Sequence, residues 1–190
     1  LEPQPRTTGD GRLRVGFVGT LVWHKGAHVL LEALRRLPPD RFELTVYGSL
    51  DTFPDYSAGL EEAARGLPVR FAGGFDRDRV AEVYAGLDVL AICSLWPENS
   101  PLVVHEAFMA GVPVLGARMG GIGDLVADGS NGLLYDAFSA ESLAACLGRL
   151  LDEPGLLARL AAAAARTPVK TIDRDAAEWQ ARYRRVLTRD

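Results

Sequence analysis

The sequence predicts an α/β domain built on a doubly wound, mainly parallel sheet of about six strands, with helices on both faces and a further helix at the C-terminal end. Three observations carry that expectation. Short continuous apolar runs such as Val89-Leu90-Ala91-Ile92-Cys93 recur between turn residues, the pattern of strands buried on both faces. Amphipathic stretches of helical period separate them. Several strands run into glycine-bearing loops, and open α/β sheets hold ligands on such loops at their carboxyl edge.

Taken in order, residues 1–12 read as a linker, because L-E-P-Q-P-R-T-T-G-D-G is rich in proline, glycine and polar residues. The chain therefore reads as a piece of a longer one, with residues 13–170 as the domain and 171–190 as a separate helix. Arg14 to Thr20, R-V-G-F-V-G-T, is a first buried strand ending on Gly19. L-V-W-H-K-G then leads to an amphipathic helix from Ala27 to Leu37. That loop is a candidate phosphate site but not a Walker loop, since G-x-x-x-x-G-K-[ST] is not met; by itself Lys25 reads first as a solvated loop lysine.

Phe42 to Gly48 alternates as a second strand, Asp51 to Tyr56 is a loop, and Gly59 to Gly66 is a weak alanine-rich helix. Val69 to Gly73 is the third strand, and Gly73-Gly74 before Phe75 permits close approach of a ligand or another backbone. Asp76 reads as the cap of the helix carrying Val80, Ala81, Val83 and Tyr84. Asp88 leads into the fourth strand, Val89 to Ser94; the fifth is Pro113 to Ala117, followed by the glycine-rich turn Arg118 to Asp124. Gly132 to Asp136 is a short sixth strand, and Ala140 to Leu151 and Pro154 to Ala165 are helices. The last helix, Asp173 to Leu187, carries Ala176, Trp179, Tyr183 and Leu187 on one stripe that packs on its own core, meets another chain or stays partly exposed.

Composition narrows the function classes. With 190 residues the chain can bury one good core, and its 48% apolar and 24% charged residues are ordinary for a soluble globular protein. No apolar run has the length of a membrane span. A formal net charge of −4 argues against a general nucleic-acid surface, so an anionic ligand needs a local positive site. Cys93 and Cys146 lack metal-ligand spacing and read as reduced, buried thiols of a cytosolic protein. His24, in the Lys25 loop, reads as a surface residue or else as a phosphate contact; His28 and His105 lie on helices without a matching nucleophile or metal set, and Trp23 and Trp96 read either as cleft walls or as core.

The stretch that organises the chain is Trp96 to Val114, W-P-E-N-S-P-L-V-V-H-E-A-F-M-A-G-V-P-V. Ser100-Pro101 predicts a helix start, with the serine hydroxyl capping a free amide and the proline at the first helical position; the helix should stop at Gly111. The amides and positive dipole end of such a helix suit a phosphate. Glu98 precedes the helix and Glu106 lies inside it, an E-x7-E spacing. Glu106 shares a helix face with Leu102, Val103, Met109 and Ala110, so the spacing points it into an apolar setting where it needs a partner. That partner is either a protein donor or a diol such as ribose.

With A-F-M-A-G-V-P-V after it, this stretch resembles the donor-binding half of family 4 of the retaining glycosyltransferases, over roughly residues 14–166. The resemblance implies a Rossmann-like domain forming one half of a GT-B fold. It implies that Glu98 contacts the donor sugar, that the turn Ser100 to Val103, with Asn99 beside it, binds the diphosphate through amides such as those of Leu102 and Val103, and that Glu106 holds the ribose. Gly19, Thr20 and Lys25 fall where the family has a glycine-arginine pair and a lysine, so Thr20 departs from the commoner arginine. In related transferases the nucleobase lies against the residue matching Phe75, which otherwise reads as an aromatic packed under the next helix.

The expectation is the donor half of a retaining hexosyltransferase of bacterial-type glycan biosynthesis that takes a UDP- or GDP-sugar, needs no metal or other cofactor, and transfers little by itself. The acceptor site would belong to an N-terminal domain of the full-length protein, to which the last helix crosses. The full protein would be cytoplasmic, and any membrane contact, at the inner face, would come through that missing domain. Asp76-Arg77-Asp78 resembles the D-x-D metal signature of a different glycosyltransferase fold, but it reads as a capping turn. The rival readings are a noncatalytic nucleotide- or protein-binding module and a sugar-nucleotide epimerase of the same architecture.

Overall fold

A computed structural model describes residues 11–188; the expected linker lies, through residue 10, outside the described residues. Six parallel strands form one sheet in the order β3-β2-β1-β4-β5-β6: β1 (Leu13–Val18), β2 (Phe42–Tyr47), β3 (Val69–Gly73), β4 (Val89–Ile92), β5 (Val114–Ala117) and β6 (Gly132–Tyr135). Every residue of β4 and β5 is buried, which is why those runs are continuously apolar rather than alternating. The strand order reverses between β1 and β4, so the loops leaving these two strands diverge and open a crevice at the carboxyl edge.

The helices are α1 (Ala27–Leu34), α2 (Pro54–Ala63), α3 (Val80–Ala85), α4 (Leu102–Met109), α5 (Ile122–Leu125), α6 (Ala140–Asp152), α7 (Leu156–Ala164) and α8 (Ile172–Leu187). One apolar layer joins the sheet to α1 and α6 through Leu30, Leu34, Leu143 and Leu147. The other joins it to α3 and α4 through Tyr84, Val104 and Phe108. At the amino edge, the fully buried Asp88 accepts from the Arg14 amide at 2.9 Å and from its guanidinium at 2.7 and 3.1 Å. This pair pins β1 against β4 at the end of the sheet opposite the crevice.

Several local expectations need correction. Helix α2 begins at Pro54, inside the expected loop Asp51 to Tyr56, because proline is at home in a first helical turn. The turn after Asp76 is a 3-10 turn over Arg77–Arg79, with no side-chain cap from Asp76. Pro101 is the extended residue before α4 rather than its first helical one, and the Ser100 hydroxyl pairs with His105 Nε2 at 2.8 Å instead of capping. The face expected around Glu106 is apolar interior only in part: Ala110 is buried and Val103 packs on the core, but Leu102 is 72% exposed and Met109 43%. On α8 no residue is buried, and Trp179, Tyr183 and Leu187 face outward, so the stripe does not pack on this domain's core. The helix is held instead by its Thr171 cap and by Lys170 pairing with Asp175 and Glu178.

Candidate functional site at the carboxyl edge of the sheet

Three loops converge above β1 and β4, and backbone contacts hold them together. After β1, the segment Trp23–Lys25 makes one tight turn that ends on Gly26, whose φ of 71° favours glycine. A Cβ on Gly26 would sit 1.9 Å from the Cys93 carbonyl oxygen, so only a glycine lets this loop lie on the chain leaving β4. The Leu95 amide donates to the His24 carbonyl at 2.7 Å and ties the two loops again. After β5, the Gly121 amide donates to the Glu98 carbonyl at 2.6 Å, and a Cβ there would meet the Asn99 carbonyl oxygen at 1.7 Å. Glu98 is thus clasped from both sides by main chain.

This convergence brings together residues far apart in sequence. The Lys25 ammonium donates to Glu98 Oε1 at 2.5 Å, and the Ser94 hydroxyl donates to the same oxygen at 2.8 Å. Burial alone would raise the Glu98 carboxyl; the hydrogen bonds from Lys25 and Ser94 and the charges of Lys25 and His24 outweigh it and hold it below its ordinary value. Glu98 is therefore an ionised acceptor at neutral pH. Beneath the pair lies Cys93, whose burial pushes its thiol up to about 12 despite a hydrogen bond with Tyr135, so it stays a protonated wall residue.

Gly19, Thr20, Lys25, Glu98, Leu102 and Val103 line one cavity of about 310 Å³, with Ser94 at its edge. Leu102 and Val103 are the first two residues of α4, where amides have no intrahelical acceptor. Pro101 contributes none. The cavity therefore offers a primary ammonium, two helix-start amides and a carboxylate. Gly19 and Thr20 also line an adjoining cavity of about 260 Å³ with Tyr47, Gly74 and Phe75. Phe75 lines this second cavity and stands edge-on to Tyr47, ring centroids 5.5 Å apart.

The structure does not bring every expected residue to the cavity. Asn99 and Ser100 are exposed beside it, and Trp23 and Trp96 are surface residues outside its lining rather than core. Glu106 lies one turn further along α4, half-buried, and its Oε2 accepts from the Tyr84 hydroxyl at 2.9 Å. A protein donor is thus present at Glu106. Among the described residues no group of three or more His, Cys, Asp or Glu could hold a metal ion. Sequence reasoning missed Ser94, Tyr84 and the contacts of Gly26 and Gly121. Only Ser94 left a signal, as a polar residue closing a continuously apolar strand.

Fold and cavity together define an open α/β domain with a cavity at its topological switch point. The comparisons with known proteins say which one. The model of the family described as glycosyl transferases group 1 matches residues 2–167, so the chain belongs to that family, as a C-terminal domain of the GT-B fold. It is 36% identical over 164 residues to a D-inositol 3-phosphate glycosyltransferase of Rhodococcus jostii, covering 80% of this chain and 35% of that protein. The chain thus spans about a third of the length of the curated relatives it matches. Among solved structures, Anabaena HepE in complex with UDP superposes with a TM-score of 0.80 at 29% identity, over 90% of this chain and 49% of that one. HepE is also solved in complex with UDP-glucose. The C-terminal domain of a group 1 glycosyl transferase from Francisella tularensis shares the fold, with a TM-score of 0.72 at 21% identity, over 87% of this chain and 92% of that one.

Proposed function

We propose that this domain binds a nucleotide-diphosphate sugar, with UDP or GDP as the nucleotide, and is the donor half of a hexosyltransferase that retains anomeric configuration. The observation that carries the reading is the cavity in which Lys25, the α4 amides of Leu102 and Val103, and an ionised Glu98 face one another. A diphosphate there meets the ammonium and the helix start, while Glu98 accepts hydrogen bonds from sugar hydroxyls. HepE, the neighbour with bound UDP and UDP-glucose, supports the choice of donor.

In the reaction, the bond between the anomeric carbon and the diphosphate oxygen breaks, and negative charge accumulates on the leaving phosphates. Lys25 and the two amides stabilise that charge where it develops, a role metal ions fill in other transferases, so the domain works without metal. The acceptor oxygen bonds to the anomeric carbon on the face the diphosphate left and passes its proton to the departing diphosphate oxygen. Glu98 orients the sugar and is not the nucleophile. Glu106 takes the ribose hydroxyls and Phe75 the base. The acceptor site belongs to an N-terminal domain of a longer cytoplasmic protein, and the present chain transfers little or nothing.

Thr20, at the place of the family's arginine, favours one second reading, a noncatalytic nucleotide-binding module. Glu98→Gln in the full-length protein separates the two, because a transferase loses turnover and a binding module keeps its function. The donor site itself is tested by calorimetric titration of this chain with UDP, GDP, ADP and their sugar conjugates, with and without magnesium. Metal-independent binding of one of these nucleotides, weakened by Glu106→Ala, is expected. Absence of binding by the wild type overturns the reading for this chain.

A further inference from the structure

We propose that Tyr84 is a positioning residue that fixes Glu106 for a ribose diol and so makes the site selective for ribonucleotides over 2′-deoxyribonucleotides. The inference rests on the donor-site reading above and adds a residue to it.

Tyr84 belongs to α3, and its ring is fully buried in the apolar layer shared with Val104, Ala107 and Phe108 of α4. Packing on that scale leaves the ring one orientation, so the position of its hydroxyl is set by the core. The hydroxyl lies 2.9 Å from Glu106 Oε2 and 3.3 Å from the Val103 carbonyl. A phenol has one proton, and the shorter contact, to a carboxylate, takes it. Burial, together with the negative charge of Glu106, drives the phenol far above its ordinary value, so Tyr84 remains a donor at any working pH.

Glu106 by contrast is a half-buried glutamate with three rotatable side-chain torsions. Unanchored, its carboxylate would sample several directions, and a diol would pay to select one. With Oε2 held by Tyr84, Oε1 and the remaining lone pairs stay available to two adjacent hydroxyls. The same phenol touches the carbonyl of Val103, a residue that lines the cavity. One buried oxygen therefore sets the distance between the helix-start amides and the carboxylate one turn on. That spacing is what a ribose joined to a diphosphate would read.

The test is Tyr84→Phe in this chain, which keeps the ring and its packing and removes one oxygen. Urea unfolding establishes that the variant is folded, and calorimetry measures UDP and 2′-deoxy-UDP on both proteins. Wild type should bind UDP on the order of tenfold more tightly than the deoxynucleotide, the scale of one hydrogen bond to a charged group. Tyr84→Phe should lose that preference, because UDP is weakened by much more than 2′-deoxy-UDP. Retention of the preference in the variant, or an equal weakening of both nucleotides, overturns the proposal and leaves the donor site standing. Equal binding of both nucleotides by the wild type also overturns it. A wild type that binds neither removes the donor-site reading for this chain and the proposal with it.

Discussion

Gly121→Ala isolates what the loop convergence contributes, because Gly121 has an ordinary φ of −67° and no backbone strain complicates the change. Its new Cβ would lie 1.7 Å from the Asn99 carbonyl oxygen, whereas real Cβ atoms essentially never come within 3.0 Å of another heavy atom. The neighbour is backbone and cannot rotate aside. The strand of main chain carrying Glu98 and Asn99 must therefore recede by about 1 Å, a displacement that can cost on the order of 10²-fold at a positioned group. The hydrogen bond from Gly121 to the Glu98 carbonyl is stretched by the same movement. Overpacking of this kind costs about 1–3 kcal/mol of stability. Two assays read the two parts: urea unfolding for stability, and calorimetric titration with the nucleotide the wild type binds. A folded variant whose donor affinity falls tenfold or more is expected, with the largest loss for sugar-bearing nucleotides. Wild-type stability together with wild-type affinity would show that the turn after β5 does not place Glu98, and the reasoning would fail.

Asp88→Ala should destabilise the domain by about 3–5 kcal/mol, because it leaves Arg14 facing a buried site without its carboxylate; urea midpoints check this, and nucleotide affinity measured in the folded range should not change, since the pair lies at the amino edge. Lys25→Ala should weaken nucleoside diphosphate binding by roughly 10-fold or more through loss of a charge-assisted contact, and a variant binding as tightly as wild type would remove Lys25 from the site. The Glu98 carboxyl is held below its unfolded value, so its ion pair stabilises the fold above the ordinary carboxylate range and that contribution is lost as pH falls through the lowered folded value. Unfolding midpoints of wild type and Glu98→Gln should accordingly differ near neutrality and converge in acid; a gap that widens on acidification contradicts the sign. Cys93, with its thiol pushed up to about 12 by burial, should resist iodoacetamide at mildly alkaline pH in the folded protein and react once urea unfolds it.

The sheet was legible wherever burial was complete. Val89 to Ile92 and Val114 to Ala117 are strands covered on both faces, and their short apolar runs between turn residues favoured that reading over a helix. Boundaries were less legible where two local preferences compete. Ser100 can cap a helix or pair with a side chain five residues on, and the choice depended on His105, which the capping pattern does not include. Lys25 and Glu98 could be named from the loops that hold them, but not their contact. That contact spans 73 positions and exists because Gly26 has no Cβ to collide with Cys93. Tyr84 stayed hidden because a tyrosine on a helix's buried face looks the same whether or not a carboxylate waits opposite, and the polar Ser94 at its strand end did not name the partner it meets.

The unburied helix α8 has a thermodynamic consequence of its own. A helix of this length is marginal in water, and most helices borrow their stability from the core they cover. This one borrows nothing from the core and relies on its cap, its i,i+4 pairing of Arg174 with Glu178, and the guanidinium of Arg182 over the Trp179 ring. Its amides should therefore exchange with solvent on a different clock from those of the sheet, and its helicity should fade on heating before the domain unfolds. The chain then behaves as two cooperative units of very unequal size, and a single melting temperature describes only the larger one.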